Sequence, residues 1–171
     1  MIALGESVVA IGSGASALTL DAHAAGAVLL SLALIVTLWW SYFDRDDERA
    51  EHAMRTLAAE ARARVGVVGY WYSHLIMLSG IVLLAAALKE IVAEGAHAPP
   101  WSAWVLASGF ALYLAGDVFF RAVLGLRPLA YRAGAALLAI ATGVLGGLPE
   151  LASLALLMAA TLALEQRRAR V

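Results

Sequence analysis

The residues of this chain that could carry chemistry are a few ionisable side chains set inside long apolar stretches. Glu6 lies among small and aliphatic residues, and His74 follows Tyr70 by four positions. An imidazole titrates near neutral pH, and a carboxyl group removed from water can also hold a proton. The four-residue spacing places Tyr70 and His74 on one helix face, and Asp117 and Arg121 have the same spacing with opposite charges. These residues predict a site that handles a proton or an ion.

Each of these residues also has a structural interpretation, and the sequence leaves both interpretations open. Glu6 and His74 could be packed and hydrogen-bonded between helices instead of exchanging protons. Asp117 and Arg121 could form an ion pair that fixes a helix end at the membrane interface, or a gate that faces a cytoplasmic vestibule. Asp44 follows a run of aromatic residues and could simply end a helix.

Other kinds of chemistry find little support in the composition. The chain has no cysteine, which excludes disulfides and thiolate metal sites, and its four histidines lack the spacing of a metal site. It has no Ser–His–acid set, no glycine-rich phosphate loop and no HExxH helix, so neither a cofactor nor a metal is expected. The net charge of −1 argues against nucleic-acid binding. A membrane-embedded enzyme that uses Glu6 and Asp117 as acid and base remains an alternative.

The elements that must position these groups are apolar helices. Hydrophobic residues make up 63% of the chain and charged residues 15%, against about half and a quarter in soluble domains. The apolar residues lie in blocks of roughly 17–24, the length at which an α-helix crosses about 30 Å of hydrocarbon. We therefore predict an all-α, polytopic transmembrane bundle of about six hydrophobic helices in a single domain. The predicted spans are about 1–17, 22–43, 65–88, 101–120, 129–148 and 151–164.

The borders of these spans carry the prolines and most of the charges. All four prolines lie at borders, where a residue without an N–H is tolerated. The polar linker 44–64 has acidic and basic residues four positions apart, which predicts a solvated or interfacial helix. Every basic residue except Lys89 falls on one side, which the positive-inside rule makes cytoplasmic together with the C-terminus. These residues are Arg45, Arg49, Arg55, Arg62, Arg64, Arg121, Arg127, Arg132, Arg167, Arg168 and Arg170.

Glycine spacing indicates where helices could approach one another. Gly5 and Gly12 flank Glu6 in the first span, and Gly143 and Gly147 form a GxxxG pattern near the end of the fifth. Small residues at such spacings allow close backbone contact, within one chain or between protomers. We therefore predict helix packing at all four positions.

Four stretches together resemble the signatures of one bacterial family. They are 2–12 (IALGESVVAIG), 38–44 (LWWSYFD), 72–81 (YSHL followed by SGI) and 109–121 (GFALYL followed by FR). In this order they resemble the low temperature requirement A (LtrA) family, and the likeness is to the C-terminal half of its longer members. The resemblance implies a multi-span protein of the bacterial inner membrane whose first helix is truncated. A missing N-terminal half, or a second copy in a homo-oligomer, would then complete the bundle.

The functional prediction follows from the buried ionisable groups. We expect an integral membrane protein that has the lipid bilayer as its surroundings and handles a proton, an ion or a small solute. The alternative is a non-catalytic membrane protein that supports growth under cold or envelope stress, which is what the family name implies. The membrane-embedded enzyme is the third hypothesis.

Overall fold

A computed structural model describes residues 2–16, 21–43 and 46–168 of the chain. Asp44, Arg45 and Arg170, which entered the sequence predictions, lie outside these residues. Within the described ranges every regular element is helical. The elements are α1 (Ile2–Ala15), α2 (Ala22–Phe43), α3 (Asp46–Thr56), α4 (Ala59–Val65), a π-helix (Gly66–Tyr72), α5 (Ser73–Glu94), a 3-10 helix (Gly95–His97), α6 (Pro100–Val123), α7 (Ala130–Thr142) and α8 (Gly147–Arg168).

The predicted all-α membrane bundle of six apolar helices is confirmed over the described residues. Four helical stretches are long and apolar enough to cross a membrane. They contain α2 (Ala22–Phe43), the helices of Ala59–Glu94, α6 (Pro100–Val123) and α8 (Gly147–Arg168). The two remaining apolar helices, α1 and α7, are shorter. With 13 residues, α7 rises only about 20 Å, less than the roughly 30 Å of a hydrocarbon core.

The boundary between the last two apolar helices differs from the sequence prediction. We expected spans at 129–148 and 151–164, but α7 ends at Thr142 and α8 already begins at Gly147. Gly146 and Gly147 have φ angles of 63° and 55°, which side-chain-bearing residues rarely adopt. The chain therefore turns at these glycines, and the predicted end of the fifth span becomes the turn and the first residues of α8.

Helices α5 and α6 form the tightest contact of the bundle because three glycines remove the side chains between them. A Cβ atom on Gly80 would lie 2.6 Å from the Tyr113 amide nitrogen, and one on Gly116 would lie 2.8 Å from the Met77 amide nitrogen. A Cβ atom on Gly109 would lie 2.9 Å from the Gly80 carbonyl oxygen. Both backbones thus touch, which fixes the relative level of residues along α5 and α6.

The predicted packing glycines mostly contact nothing in the described chain. An added Cβ would find no atom within 4 Å at Gly5, Gly12 or Gly147. Gly143 does pack, since a Cβ atom added to it would lie 2.8 Å from the Trp104 ring, but α7 ends before this glycine. Gly143 and Gly147 therefore do not lie on one helix, and helix packing through this pair stays a prediction. On α1 the close contact is at Gly14, where a Cβ would lie 2.6 Å from the Lys89 carbonyl oxygen.

The remaining helices complete a single core around α5 and α6. α1 runs along α5, α7 lies between α6 and α8, and α2 packs against α8. Leu34, Leu84, Phe110 and Leu154 are fully buried in this core. Burial of such side chains between helices, rather than propensity alone, holds each helix in its place.

The polar linker forms two helices, α3 and α4, that end at the π-helix. Ala50 of α3 packs against Phe120 and Leu124 near the end of α6. The Arg49 guanidinium donates to the Arg127 carbonyl oxygen at 2.7 Å. The linker is thus attached to the bundle at the end where α2 finishes and α5 begins, which we call the arginine-rich end.

Candidate functional site

Four charged side chains meet near the arginine-rich end, and we call them the arginine–carboxylate cluster. They are Asp117 and Arg121 of α6, Arg132 of α7 and Glu165 of α8. Arg132 Nη1 lies 2.7 Å from Asp117 Oδ2, and Arg132 Nη2 lies 3.0 Å from Glu165 Oε2. Arg121 lies 3.8 Å from Asp117 through Nε and 3.2 Å from Glu165 through Nη1. Each arginine therefore contacts both carboxylates, and the four formal charges cancel.

Both guanidinium groups of the cluster also donate to backbone carbonyl oxygens. Arg132 Nη2 donates to the Ser41 oxygen in the last turn of α2 at 3.0 Å, and Arg121 Nη1 donates to the Pro128 oxygen at 3.2 Å. The last carbonyls of a helix lack intrahelical partners and attract positive charge. The cluster therefore connects α2, α6, α7 and α8 at one level.

The cluster is almost completely removed from solvent. The side chains of Asp117, Arg121 and Arg132 are 1–3% exposed and that of Glu165 is 12% exposed. Removing an ion from water costs several kcal/mol, and its attraction to well-placed partners of opposite charge offsets about this amount. The predicted Asp117–Arg121 pair thus exists, but the nearer partner of Asp117 is Arg132. The pair is buried and does not face an open vestibule within the described residues.

A second polar group surrounds His74 at the start of α5. The Tyr42 hydroxyl, at the end of α2, lies 2.8 Å from His74 Nε2. Tyr70 stacks on the imidazole, with centroids 5.8 Å apart and planes 8° apart, and Phe120 meets it edge-on at 5.3 Å. The expected face shared by Tyr70 and His74 is present. On this face Tyr70 stacks against the His74 ring, whereas the side-chain hydrogen bond of His74 Nε2 is with the Tyr42 hydroxyl.

The backbone around His74 departs from regular α-helix. Residues 66–72 form a π-helix, a rare conformation that often marks functional positions. The Ser73 hydroxyl donates to the Gly69 carbonyl oxygen within this segment. A cavity of about 520 Å³ lies beside it and is largely open to the protein surface. Its lining residues are Gly66, Val67, Tyr70, Trp71, Tyr72 and His74.

The arginine–carboxylate cluster and the His74 group are neighbours in the bundle. Ser41, whose carbonyl oxygen accepts a hydrogen bond from Arg132, directly precedes Tyr42. Phe120, whose ring contacts His74, directly precedes Arg121. The two groups together form a polar layer across α2, α5, α6, α7 and α8. An imidazole that can bind a proton therefore lies beside a set of buried charges.

Glu6 is not part of this layer. Its side chain is exposed on α1 and lines an open groove of about 460 Å³ between α1 and α5. Ser13 and Lys89 line the same groove nearer its other end. The structure therefore does not bring Glu6 together with His74, and the predicted site divides into two places.

A further buried carboxyl group lies at the opposite end of the bundle from the cluster. Glu150, which falls between the predicted spans 129–148 and 151–164, lies in the first turn of α8 with 0% exposure. Neither carboxyl oxygen has a hydrogen-bond partner among the described residues, and the same holds for the hydroxyls of Ser7 and Ser31. An unpaired buried polar group destabilises a fold, so Glu150 carries an energetic cost.

Sequence reasoning missed four residues of these sites: Tyr42, Arg132, Glu150 and Glu165. Arg132 enters the sequence prediction only as one of the basic residues that set the orientation, and Glu165 lies one residue beyond the last predicted span. Thirty-three positions separate them in sequence, and only the packing of α7 against α8 brings them to 3.0 Å. Their opposite charges at matching ends of predicted spans were the available signal.

No group of three or more His, Asp or Glu side chains that could hold a metal ion occurs within residues 2–16, 21–43 and 46–168. The side chains that do converge are two arginines with two carboxylates, and a histidine with tyrosines. Such side chains can bind protons, can bind an anion or a cation in place of one of their present partners, or can hold the helices in fixed relative positions. The chemistry it offers is electrostatic.

Comparison with known proteins identifies the family to which the chain belongs. No curated protein and no solved structure matches the chain. The family model described as bacterial low temperature requirement A protein (LtrA) matches residues 1–165, nearly the whole chain. The stretches around Glu6, Tyr42, His74 and Asp117, which first suggested this family, all lie inside the match. The chain is an integral membrane protein of the low temperature requirement A family.

Proposed function

We propose that this protein moves a proton, a small ion or a small solute across the bacterial inner membrane, with the His74 group as the responsive element. The observation that carries this proposal is the 2.8 Å hydrogen bond between His74 Nε2 and the Tyr42 hydroxyl inside a span. A neutral imidazole with no hydrogen on Nε2 accepts a hydrogen bond from the hydroxyl, whereas a protonated imidazole donates a hydrogen bond to the same oxygen. The pair can therefore hold either protonation state and keep its hydrogen bond.

The neighbouring arginine–carboxylate cluster supports a role as a closed gate. Its four charges satisfy one another and tie α2, α6, α7 and α8 together at the arginine-rich end, which we place in the cytoplasm. A proton added to His74 places a positive charge against Phe120, the residue that precedes Arg121 of the cluster. Because charges in a buried site interact strongly, this proton weakens the existing arrangement and favours another one.

Flux through purified protein tests this proposal. The protein is reconstituted in liposomes that contain a pH-sensitive dye, and a potassium gradient with valinomycin sets the membrane potential. We expect proton entry that His74→Gln and Tyr42→Phe reduce to the level of empty liposomes. Tyr131→Phe, which changes a partly exposed tyrosine of α7 outside the His74 group and its cavity, is the matched control and keeps the flux. Normal flux in both His74→Gln and Tyr42→Phe would refute a role for this pair.

A second candidate is a non-catalytic protein that supports growth in the cold. The mutual satisfaction of the arginine–carboxylate cluster favours it, since such a network specifies one rigid arrangement. Growth at low temperature separates the two proposals. If cells that carry His74→Gln grow like wild type while cells that lack the protein do not, the low-temperature role is independent of proton movement.

A further inference from the structure

The start of α8 places a carboxyl group inside the bundle, at the end opposite the arginine–carboxylate cluster. Glu150 lies in the first turn of α8, about 22 Å along the helix axis from Glu165 of the cluster. Leu148 of the same turn contacts the start of α2, where a Cβ atom on Gly26 would lie 3.7 Å from the Leu148 Cδ1 atom. Glu150 is 0% exposed, so the packing around the start of α8 keeps its side chain away from water.

The carboxyl group of Glu150 has no partner in the part of the chain that the structure describes. Both of its oxygens are buried, and neither takes part in a hydrogen bond. At the same end of the bundle, Asp21 accepts a hydrogen bond from the Ala24 amide at 2.7 Å. His23, in the first turn of α2, is exposed beside Gly95. Helix α8 packs against α2, α6 and α7, and the other titratable or charged residues of these four helices lie nearer the arginine-rich end: Tyr42, Tyr113, Asp117, Arg121, Tyr131, Arg132, Glu165, Arg167 and Arg168. No described side chain therefore compensates a negative charge on Glu150.

Two opposing effects act on the charge of this carboxyl group. Removal from water without a partner makes the carboxylate costly and favours the neutral, protonated form. The first turn of a helix carries a partial positive charge, which favours a negative side chain. Glu150 lies in that turn, about 4.5 Å along the axis from Gly147, the first residue of α8. Because the helix start reduces the cost of the carboxylate, Glu150 can release a proton as well as hold one.

A proton is the ligand that fits the surroundings of Glu150. A calcium or magnesium ion takes about six or more oxygen ligands. The described residues contain no group of three or more His, Asp or Glu side chains that could supply such a set. A proton requires a single carboxylate oxygen, with which it forms an O–H bond. The isolated carboxyl group thus has everything that a proton site needs and lacks what a metal site needs.

We propose that Glu150 binds and releases a proton and is the proton-binding site at this end of the bundle. In the orientation proposed above, this is the extracytoplasmic end, whereas His74 lies at the arginine-rich end. A hydronium ion gives its proton to one carboxylate oxygen of Glu150 and leaves as water, and release reverses this step. The assignment of Glu150 to the same proton path as His74 rests on the function proposed above, whereas proton binding by Glu150 is independent of transport.

Infrared difference spectroscopy tests proton binding directly. The full chain is reconstituted in lipid, and its spectrum in alkaline buffer is subtracted from its spectrum in acidic buffer. We expect the carbonyl band of a protonated carboxyl group, at the high frequency typical of a group without hydrogen bonds. Glu150→Gln and Glu150→Leu should both remove this band. Glu94→Gln, which changes an exposed carboxyl group at the same end, is the matched control and keeps it.

Two results would overturn proton binding by Glu150. The first is an unchanged difference spectrum in both Glu150 variants, which would mean that Glu150 keeps one protonation state. The second is loss of the band when sodium is added at constant acidic pH, which would assign a metal cation to the site. Thermal unfolding of each variant controls for folding.

Proton entry into liposomes tests the place of Glu150 on the path. We expect Glu150→Gln to reduce the flux to the level of empty liposomes, whereas Glu94→Gln keeps it. Wild-type flux in Glu150→Gln would overturn the place of Glu150 on the path and leave the function proposed for His74 intact. A Glu150 band that titrates in a protein without proton flux would refute transport, and Glu150 would stand as a proton-binding site.

Discussion

Replacing Arg132 by methionine removes one guanidinium group from the arginine–carboxylate cluster while keeping a long apolar side chain in its place. Asp117, with a side chain only 1% exposed, then loses its 2.7 Å partner and keeps Arg121 at 3.8 Å. Glu165 loses one of its two arginines, and the Ser41 carbonyl loses its donor. The substitution thus leaves a negative charge that is buried and poorly compensated.

The expected cost can be estimated from these contacts. Breaking a buried ion pair by removing one partner costs about 3–5 kcal/mol. Because Arg121 remains near both carboxylates, we expect the lower end of this range, about 3 kcal/mol. For a chain of this size, each kcal/mol lowers Tm by roughly 2–4 °C, so Arg132→Met should lower Tm by about 6–12 °C.

Thermal unfolding in detergent micelles, followed by tryptophan fluorescence, measures this change through the five tryptophans of the chain. Arg64→Met is the matched control, because Arg64 is exposed on α4, and its Tm should change by less than about 2 °C. A second test combines Arg132→Met with Asp117→Asn, which removes the stranded charge and should recover part of the lost stability. If Arg132→Met lowers Tm no more than Arg64→Met, the cluster does not form and the reasoning is refuted.

Three further predictions test other parts of the structure. Gly116→Ala should destabilise the fold by about 1–3 kcal/mol because the new Cβ meets the backbone of α5. Gly134→Ala, with open space around the new Cβ, should leave the stability unchanged. Urea unfolding measures both variants, and equal effects would contradict the close contact between α5 and α6. Glu150→Leu should raise the free energy of unfolding by about 1–3 kcal/mol because it removes an unpaired buried polar group; a lower Tm would indicate that an ion or lipid headgroup pairs with Glu150. A single cysteine in place of Arg167 should react with an impermeant maleimide only in inverted vesicles, and a single cysteine in place of Trp101 should react only in intact spheroplasts. The reverse pattern would invert the proposed orientation.

The sequence could predict the class of fold because hydrocarbon imposes simple rules on a chain. Blocks of apolar residues long enough to span a membrane must be helical, and prolines and charges must lie at their borders. Those rules give the membrane helices without any knowledge of how the helices pack. They failed at Gly143–Gly147, since hydropathy does not register a turn made of glycines between two apolar segments.

The composition of the candidate site could be predicted only in part. Asp117, Arg121, Tyr70 and His74 stood out because each interrupts an apolar helix or has a charged neighbour one turn away. A pair within one helix is visible in sequence since its geometry is fixed by 3.6 residues per turn. Glu6 stood out by the same criterion, yet the structure places it on the outside of the bundle.

Contacts between helices were decided by the tertiary structure alone. Arg132 reaches Asp117 and Glu165 because α7 packs between α6 and α8, and Tyr42 reaches His74 because α2 ends beside the π-helix. Such contacts depend on which faces of the helices meet and at what level, and in this chain the glycines between α5 and α6 set that level. Composition and periodicity thus determined that the chain forms membrane helices with a few costly ionisable groups. Side-chain packing between helices distant in sequence determined which of those groups are paired, which are isolated, and which face away from the bundle.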